Sequence, residues 1–230
     1  SLTSEYFRLL AQAQRVVAIS DYTRTSIDAA LRRRFVTDVA HPGGDHVDPR
    51  SGRPPERTRF LRVGTLEARK HPTQILTAFE EAVDRGLDAD LVFIGRPSAS
   101  NEAINERLRS SIRAGYPVRW IAGAPDRDVH EAMNSATYFL SLGIEGYGIP
   151  VLESIRLGTP VLFDGIQPAA ELMEGRGAQR IGGGTTSDLA DALTQAARAL
   201  PPALEPESVP TWGDFVSDVI EAATRPPLAS

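Results

Sequence analysis

From Phe60 onward, short apolar runs alternate with stretches whose apolar residues recur every three or four positions. The runs are FLRVG (60–64), DLVFIG (90–95), VRWIAG (118–123), TYFLSL (137–142), PVLFDG (160–165) and AQRIGG (178–183). Most carry β-branched or aromatic residues and close on glycine or a turn, so they are expected as strands. Between them, HPTQILTAFEEAVDRG sets Ile75, Leu76, Phe79, Ala82 and Val83 at helical spacing, and NEAINERLRSSIRAG, DRDVHEAMNSA and SDLADALTQAARAL are expected as further helices. Asn101, Asp126 and Ser187 are the expected N-caps, and Gly86 and Gly115 the helix stops. Strand and helix repeated in this way predict an α/β fold, a doubly wound parallel sheet with helices on both faces. Ligands of such sheets bind outside the carboxyl ends of the strands, so the loops that follow strands are the ones to search for chemistry.

Flanking segments complete the outline. QRVVAIS and DYTRTSIDAALRRRF predict one further strand and helix, a leftover unit of another α/β layer over residues 1–40. HPGGDHVDPRSGRPPER, rich in Pro, Gly and charge, is the expected boundary, with the sheet domain over 41–205. The linker PPALEPESVP leads into a terminal helix, TWGDFVSDVIEAAT, and residues 206–230 are expected as linker and C-terminal helix. The start at Ser1, without a methionine, predicts a piece processed or excised from something longer.

Composition narrows the chemistry. Hydrophobic residues at 41% and charged residues at 24% are ordinary for a soluble globular protein, and a net charge of −5 argues against nucleic acid as a partner. The absence of cysteine excludes disulfides, thiolate metal sites and a cysteine nucleophile. No apolar run approaches the roughly 20 residues that span a bilayer, and no signal-peptide pattern opens the chain. Neither GxGxxG after a strand nor GxxxxGK[ST] occurs, which disfavours nicotinamide and excludes the P-loop class. His41, His46, His71 and His130 lack metal-ligand spacing and are expected as surface or loop residues, Trp120 and Trp212 as core or docking residues. Arg32-Arg33-Arg34 closes a helix, where cations complement the dipole; contact with phospholipid is a lesser reading.

Two loops stand out. TLEARKHP places Arg69 and Lys70 before a helix expected to start near Pro72, where free N–H groups and two cations suit phosphate oxygens; taken alone, the pair also reads as a solvated turn. GIEGYGIPVLESIRLGTPV carries Glu145 and Glu153 on either side of Gly146, Gly148 and Pro150. A helix from Pro150 to Gly158 leaves Glu145 in the loop and Glu153 in the first turn. The glycines let backbone N–H groups approach a ligand, and the carboxylates can accept hydrogen bonds from sugar hydroxyls or from a vicinal diol such as ribose. Alone, Glu153 also reads as an acid complementing the helix dipole and Glu145 as an exposed loop acid; together on one sheet edge with the cations, the four read as a site.

EGYGIPVLE resembles the E-x7-E segment of retaining glycosyltransferases with the GT-B fold, in particular family 4 of the glycosyltransferases. VGTLEARKHPTQILTAF is similar to that family's phosphate-binding loop, GTPV to the strand after its E-x7-E helix, TWGDFVSDVI to its closing helix, and VVAISDYTRTSI looks like the last strand and helix of its N-terminal domain. The resemblance covers about residues 40–225 in register. It implies a Rossmann-like half of a GT-B fold that holds a nucleotide-diphosphate sugar, with 1–40 a remnant of the N-terminal acceptor domain.

By the same resemblance Glu153 binds the ribose, Glu145 is the catalytic acid that holds the transferred sugar, and Arg69 and Lys70 hold the diphosphate. Gly64, Thr65, Gly146, Gly148, Ile149, Pro150 and Val151 complete the donor site. No cofactor and no metal are expected. The sugar goes to an acceptor hydroxyl, with retention, in bacterial surface polysaccharide or glycolipid synthesis, and GDP-mannose is the favoured donor. The acceptor, a glycan or lipid-linked glycan, is bound through the missing N-terminal domain, so the isolated chain is expected to transfer weakly or not at all. The expected place is the cytoplasm, including the inner face of the membrane through peripheral association of the longer parent. Thr65 departs from the family, many of whose members carry arginine after the loop glycine. The competing readings are a noncatalytic nucleotide-binding or scaffold module of the same fold and, disfavoured by EGYGIPVLE, a nucleotide-sugar epimerase.

Overall fold

The computed structural model describes residues 15–31, 37–48, 55–182 and 184–225, together with residues 5, 8–10, 12 and 13. The Arg32-Arg33-Arg34 run lies outside the described residues. Strand β1 (Val16–Ala18) is followed by helix α1 (Asp21–Leu31) and pairs in parallel with β2 (Thr37–Val39), a strand that the polar sequence TDV did not announce.

The main sheet has six parallel strands: β3 (Thr58–Val63), β4 (Ala89–Ile94), β5 (Val118–Ile121), β6 (Tyr138–Ile144), β7 (Val161–Ile166) and β8 (Ala178–Arg180), in the order β5-β4-β3-β6-β7-β8. The connecting helices are α2 (Pro72–Asp84), α3 (Glu102–Arg113), α4 (Asp126–Asn134), α5 (Ile149–Arg156), α6 (Pro168–Leu172) and α7 (Thr186–Arg198), with α8 (Trp212–Thr224) at the end. The expected doubly wound parallel sheet is present.

The continuous apolar runs follow from burial of both sheet faces. Phe60, Leu91, Phe93, Tyr138, Leu140 and Leu162 face Ile75 and Phe79 of α2, Leu108 of α3 and Leu189 and Leu193 of α7. Their sequence neighbours Leu61, Val92, Phe139, Val161 and Phe163 face Met133 of α4, Val151, Leu152 and Ile155 of α5 and Ala169 and Ala170 of α6. Each such Val, Leu, Ile, Phe or Met side chain contributes about 1.5–3 kcal/mol on burial. Phe60 anchors the first face, stacked on Tyr138 at 5.8 Å and edge-on to Phe79 at 6.4 Å.

Helix ends correct two expectations. Pro125, extended, is the N-cap of α4, and Asp126 lies inside its first turn with Asp128, where both complement the dipole. Thr185, two positions before Ser187, caps α7: its hydroxyl accepts the Asp188 N–H at 3.2 Å while Asp188 Oδ2 accepts the Thr185 N–H at 3.0 Å. This is a capping box with aspartate in the acidic position, which a search for Glu or Gln passes over. Asn101 caps α3 by position, without a side-chain bond.

Candidate functional site

Counted from β3, the main sheet runs 3-2-1-4-5-6. From β3 the chain winds outward through β4 to β5, and from β6 outward the other way through β7 to β8. The loops leaving the adjacent strands β3 and β6 therefore diverge, and the crevice between them is where ligands of such sheets bind. A cleft of about 370 Å³ lies there. Gly64 and Lys70 line it from the β3 side, Glu145, Gly146, Gly148, Ile149, Pro150 and Val151 from the β6 side, and Ile19 from the N-terminal segment. Thr65 and Glu153 do not line this cleft.

The β3 side holds a turn that the sequence did not reveal. Ala68–Lys70 form one 3-10 turn, closed by His71 in the left-handed conformation (φ 52°), which caps α2 ahead of Pro72. This turn packs on the end of β6. A Cβ at Gly143, where φ is 90°, would lie 2.0 Å from the Arg69 carbonyl oxygen, so only glycine lets turn and strand approach this closely. As a result Lys70 Nζ lies 2.7 Å from Glu145 Oε1, and the Arg69 guanidinium lies 3.0 Å from Oε2 while donating to the Ile144 carbonyl at 2.5 Å. The Lys70 and Glu145 side chains are 14% and 18% exposed, so Lys70 is no solvated-turn residue and Glu145 no exposed loop acid; Arg69, at 45%, keeps one edge in water. Arg69 also pairs with Glu67 at 2.7 Å.

Burial by itself would raise the Glu145 pKa, but hydrogen bonds from Lys70 and then Arg69, with their charges, outweigh it and hold the carboxyl below the ordinary value of 4.5. A group whose pKa falls on folding stabilises the fold above its unfolded pKa, and that contribution is lost as pH drops through the folded value. Glu145→Gln should therefore be less stable than the unaltered chain at neutral pH. The gap should narrow as pH falls below 4.5. Chemical denaturation across that range measures it, and a gap independent of pH would contradict the pairing.

On the β6 side, helix α5 begins at Ile149, one residue before the expected Pro150, with Gly148 as N-cap at φ 108°. Glu153 is consequently the fifth helical residue and lies beyond the first turn, where it was expected. Its Oε1 is 2.8 Å from His46 Nε2, and His46 Nδ1 is 3.1 Å from Trp212 Nε1 of α8. An indole N–H can only donate, so Nδ1 is the acceptor and the Nε2 proton points at Glu153. Asp45 Oδ1 accepts the Trp212 backbone N–H at 2.7 Å. His46, expected as a plain loop residue, thus orients one acid of the pair and joins it to the terminal helix. Glu153 Oε2 has no hydrogen-bond partner among the described residues.

The N-terminal segment supplies a further wall. Ser20, fully buried, donates to the Gly146 carbonyl at 2.7 Å and accepts the Thr23 N–H at 3.1 Å at the start of α1. Tyr147 donates to the Pro42 carbonyl at 3.0 Å and stacks on His41 at 5.8 Å; burial pushes its phenol well above the ordinary range. Ile19, His46, Tyr147 and Arg62 were not picked out as site residues in the sequence. Arg62 of β3, 5% exposed, lines the cleft. Burial brings its pKa down to about 10, against the opposing pull of Glu145. The arginine inside the apolar run FLRVG was the available signal.

The family model for Glycosyl transferases group 1 matches residues 45–196. The chain is 31% identical over 138 residues to the serotype-specific mannosyltransferase WbdA of Escherichia coli, covering 59% of this chain and 17% of WbdA. It is 24% identical over 181 residues to the O-antigen chain mannosyltransferase B of the same organism, covering 71% and 46%. The chain thus spans less than half the length of these curated relatives. Among solved structures, S. aureus TarM, as a mutant in complex with fondaparinux, α-GlcNAc-glycerol and UDP, superposes with a TM-score of 0.73 at 12% identity over 98% of this chain and 47% of TarM. The UDP-forming α,α-trehalose-phosphate synthase of Burkholderia vietnamiensis gives 0.68 at 14% over 95% and 58%. At such identities the likeness shows the fold, that of one Rossmann-like half of a GT-B protein.

Proposed function

Since the chain belongs to the group 1 glycosyl transferases, we propose that the cleft between β3 and β6 holds a nucleoside-diphosphate sugar, as the donor half of a retaining, family 4 enzyme. The observation that carries this reading is the cluster of Lys70, Arg69 and Glu145 at the switch point of the sheet, beside the N-terminus of α5. Departure of a nucleoside diphosphate accumulates negative charge at the phosphates. Fixed cations and free helix N–H groups stabilise that charge where it develops, and such donors contribute on the order of 10²–10³ in rate. The same cations make a metal dispensable, so donor binding should survive dialysis against a chelator.

Glu145 accepts hydroxyl hydrogens of the transferred sugar, and Glu153, oriented by His46, presents Oε2 to the ribose diol. The chain of mannosyltransferase relatives favours GDP-mannose as donor and surface polysaccharide or glycolipid as product. Transfer needs an acceptor-binding half, of which residues 1–40 are the last unit. A noncatalytic nucleotide-binding module is the second reading, favoured by Thr65, which brings no charge to the cleft. Calorimetric titration with GDP, UDP and dTDP tests the donor site: one of them should bind in the micromolar range, and Glu153→Ala should weaken it about tenfold or more through the lost diol contacts. Equal binding by the variant would remove Glu153 from the site.

A further inference from the structure

Arg62 is a buried cation for which the fold itself gives no reason. It sits on β3, the strand at the centre of the sheet, and is 5% exposed. Among the described residues no carboxylate forms an ion pair with its guanidinium. Its hydrogen bond runs from Nη1 to the carbonyl of Val63, the residue that follows it. Glu145, the nearby acid, has one oxygen on Lys70 and the other on Arg69. The cluster therefore holds three cations, Arg62, Arg69 and Lys70, against two carboxylates, Glu67 and Glu145. A desolvated charge left over in this way costs stability and calls for an anionic partner.

The backbone leaves room for that partner. A Cβ built on Gly64 would lie 3.2 Å from Lys70 Nζ and 3.7 Å from Arg62 Nη1, so the two cations converge over the one residue of the turn that carries no side chain. Both line the same cleft of about 370 Å³. A guanidinium offers a planar fork of donors that matches phosphate oxygens two at a time, and it stays charged when buried.

We propose that Arg62 is a donor-binding residue that grips the diphosphate over Gly64 together with Lys70, and that it sets the preference of the cleft for diphosphates over monophosphates. This rests on the nucleotide-sugar reading of the cleft. Arg62 is held in place before the ligand arrives, with no carboxylate to release, whereas Lys70 and Arg69 must exchange Glu145 for phosphate.

The test is calorimetric titration of the chain with GDP, GMP, UDP and UMP, carried out on the unaltered protein and on Arg62→Met. The variant should lower diphosphate affinity about tenfold to hundredfold and monophosphate affinity much less, collapsing the ratio between them. Its melting temperature should equal or exceed that of the unaltered chain, since an apolar side chain replaces an unpaired buried charge. Arg62→Gln, which keeps a donor but no charge, should lose the same preference and stands in should Arg62→Met fold poorly. Unchanged ratios in a well-folded variant would overturn the proposal, as would equal losses for both phosphate classes together with a lower melting temperature, which mark a structural role. Absence of all nucleotide binding by the unaltered chain would instead sink the nucleotide reading itself, and this assignment with it.

Discussion

On the donor-site reading proposed above, Glu145→Ala is expected to lower sugar transfer by this chain joined to an acceptor-binding half on the order of 10²–10³-fold while nucleoside diphosphate binds the chain at least as tightly as before. The two effects have opposite signs for one reason. In the ligand-free chain Glu145 occupies Lys70 at 2.7 Å and Arg69 at 3.0 Å, so it competes with phosphate oxygens for both cations. Removing it frees them, and the cleft becomes more positive. The carboxylate that should hold the transferred sugar is gone, however, so the affinity gained by adding the sugar to the diphosphate should vanish together with turnover. Some stability is lost as well, about 1–3 kcal/mol, because Lys70 is 14% exposed and is left without its acceptor. Kinetics of the variant beside titrations with GDP and GDP-mannose check both halves. Full transfer by the variant would remove Glu145 from the reaction; weaker GDP binding would show that the acid organises the cations rather than blocking them.

Lys70→Met carries the second large effect, a loss of about hundredfold in affinity for the nucleoside diphosphate. Lys70 is the more buried of the two cations on Glu145, and its ammonium projects over Gly64 into the cleft. Charge–charge attraction in such a partly desolvated place is several times stronger than at an exposed site. Arg69, 45% exposed and shared with Glu67, is screened by water, and Arg69→Met should cost only severalfold. The contrast is the useful observable: measured at 0.05 and 0.5 M salt, the Lys70 variant should keep most of its deficit and the Arg69 variant should lose most of its own. Equal losses in the two variants would place the phosphates outside the turn.

Why the sheet was legible and parts of the site were not follows from the range of the forces involved. Strands β3, β4, β6 and β7 place buried apolar side chains on both faces, and the helices between the strands bury one stripe each, so a local pattern carries most of the parallel layer. β2 escaped notice because three residues, TDV, hold no such pattern and their partner β1 lies twenty-one positions upstream in register. Glu145 and the cations were readable because each lies just past a strand, but their contact depends on a 3-10 turn resting on Gly143, a close approach that no local signal announces. His46 reaches Glu153 across 107 positions and Trp212 across 166, so nothing nearby in the chain distinguishes it from an ordinary loop histidine. Arg62 was visible as a charge in an apolar strand; its meaning came only once its neighbours were in place.

Amide chemical-shift mapping of the labelled chain titrated with GDP and UDP decides whether a nucleotide donor binds between the β3 and β6 loops. The saturating shifts should cluster on residues 62–70 and 143–153, with a secondary response at His46 and at Trp212 through its link to Glu153. Shifts centred instead on the groove of about 360 Å³ that Arg180, Asp188 and Gln195 line beside β8 and α7 would contradict it.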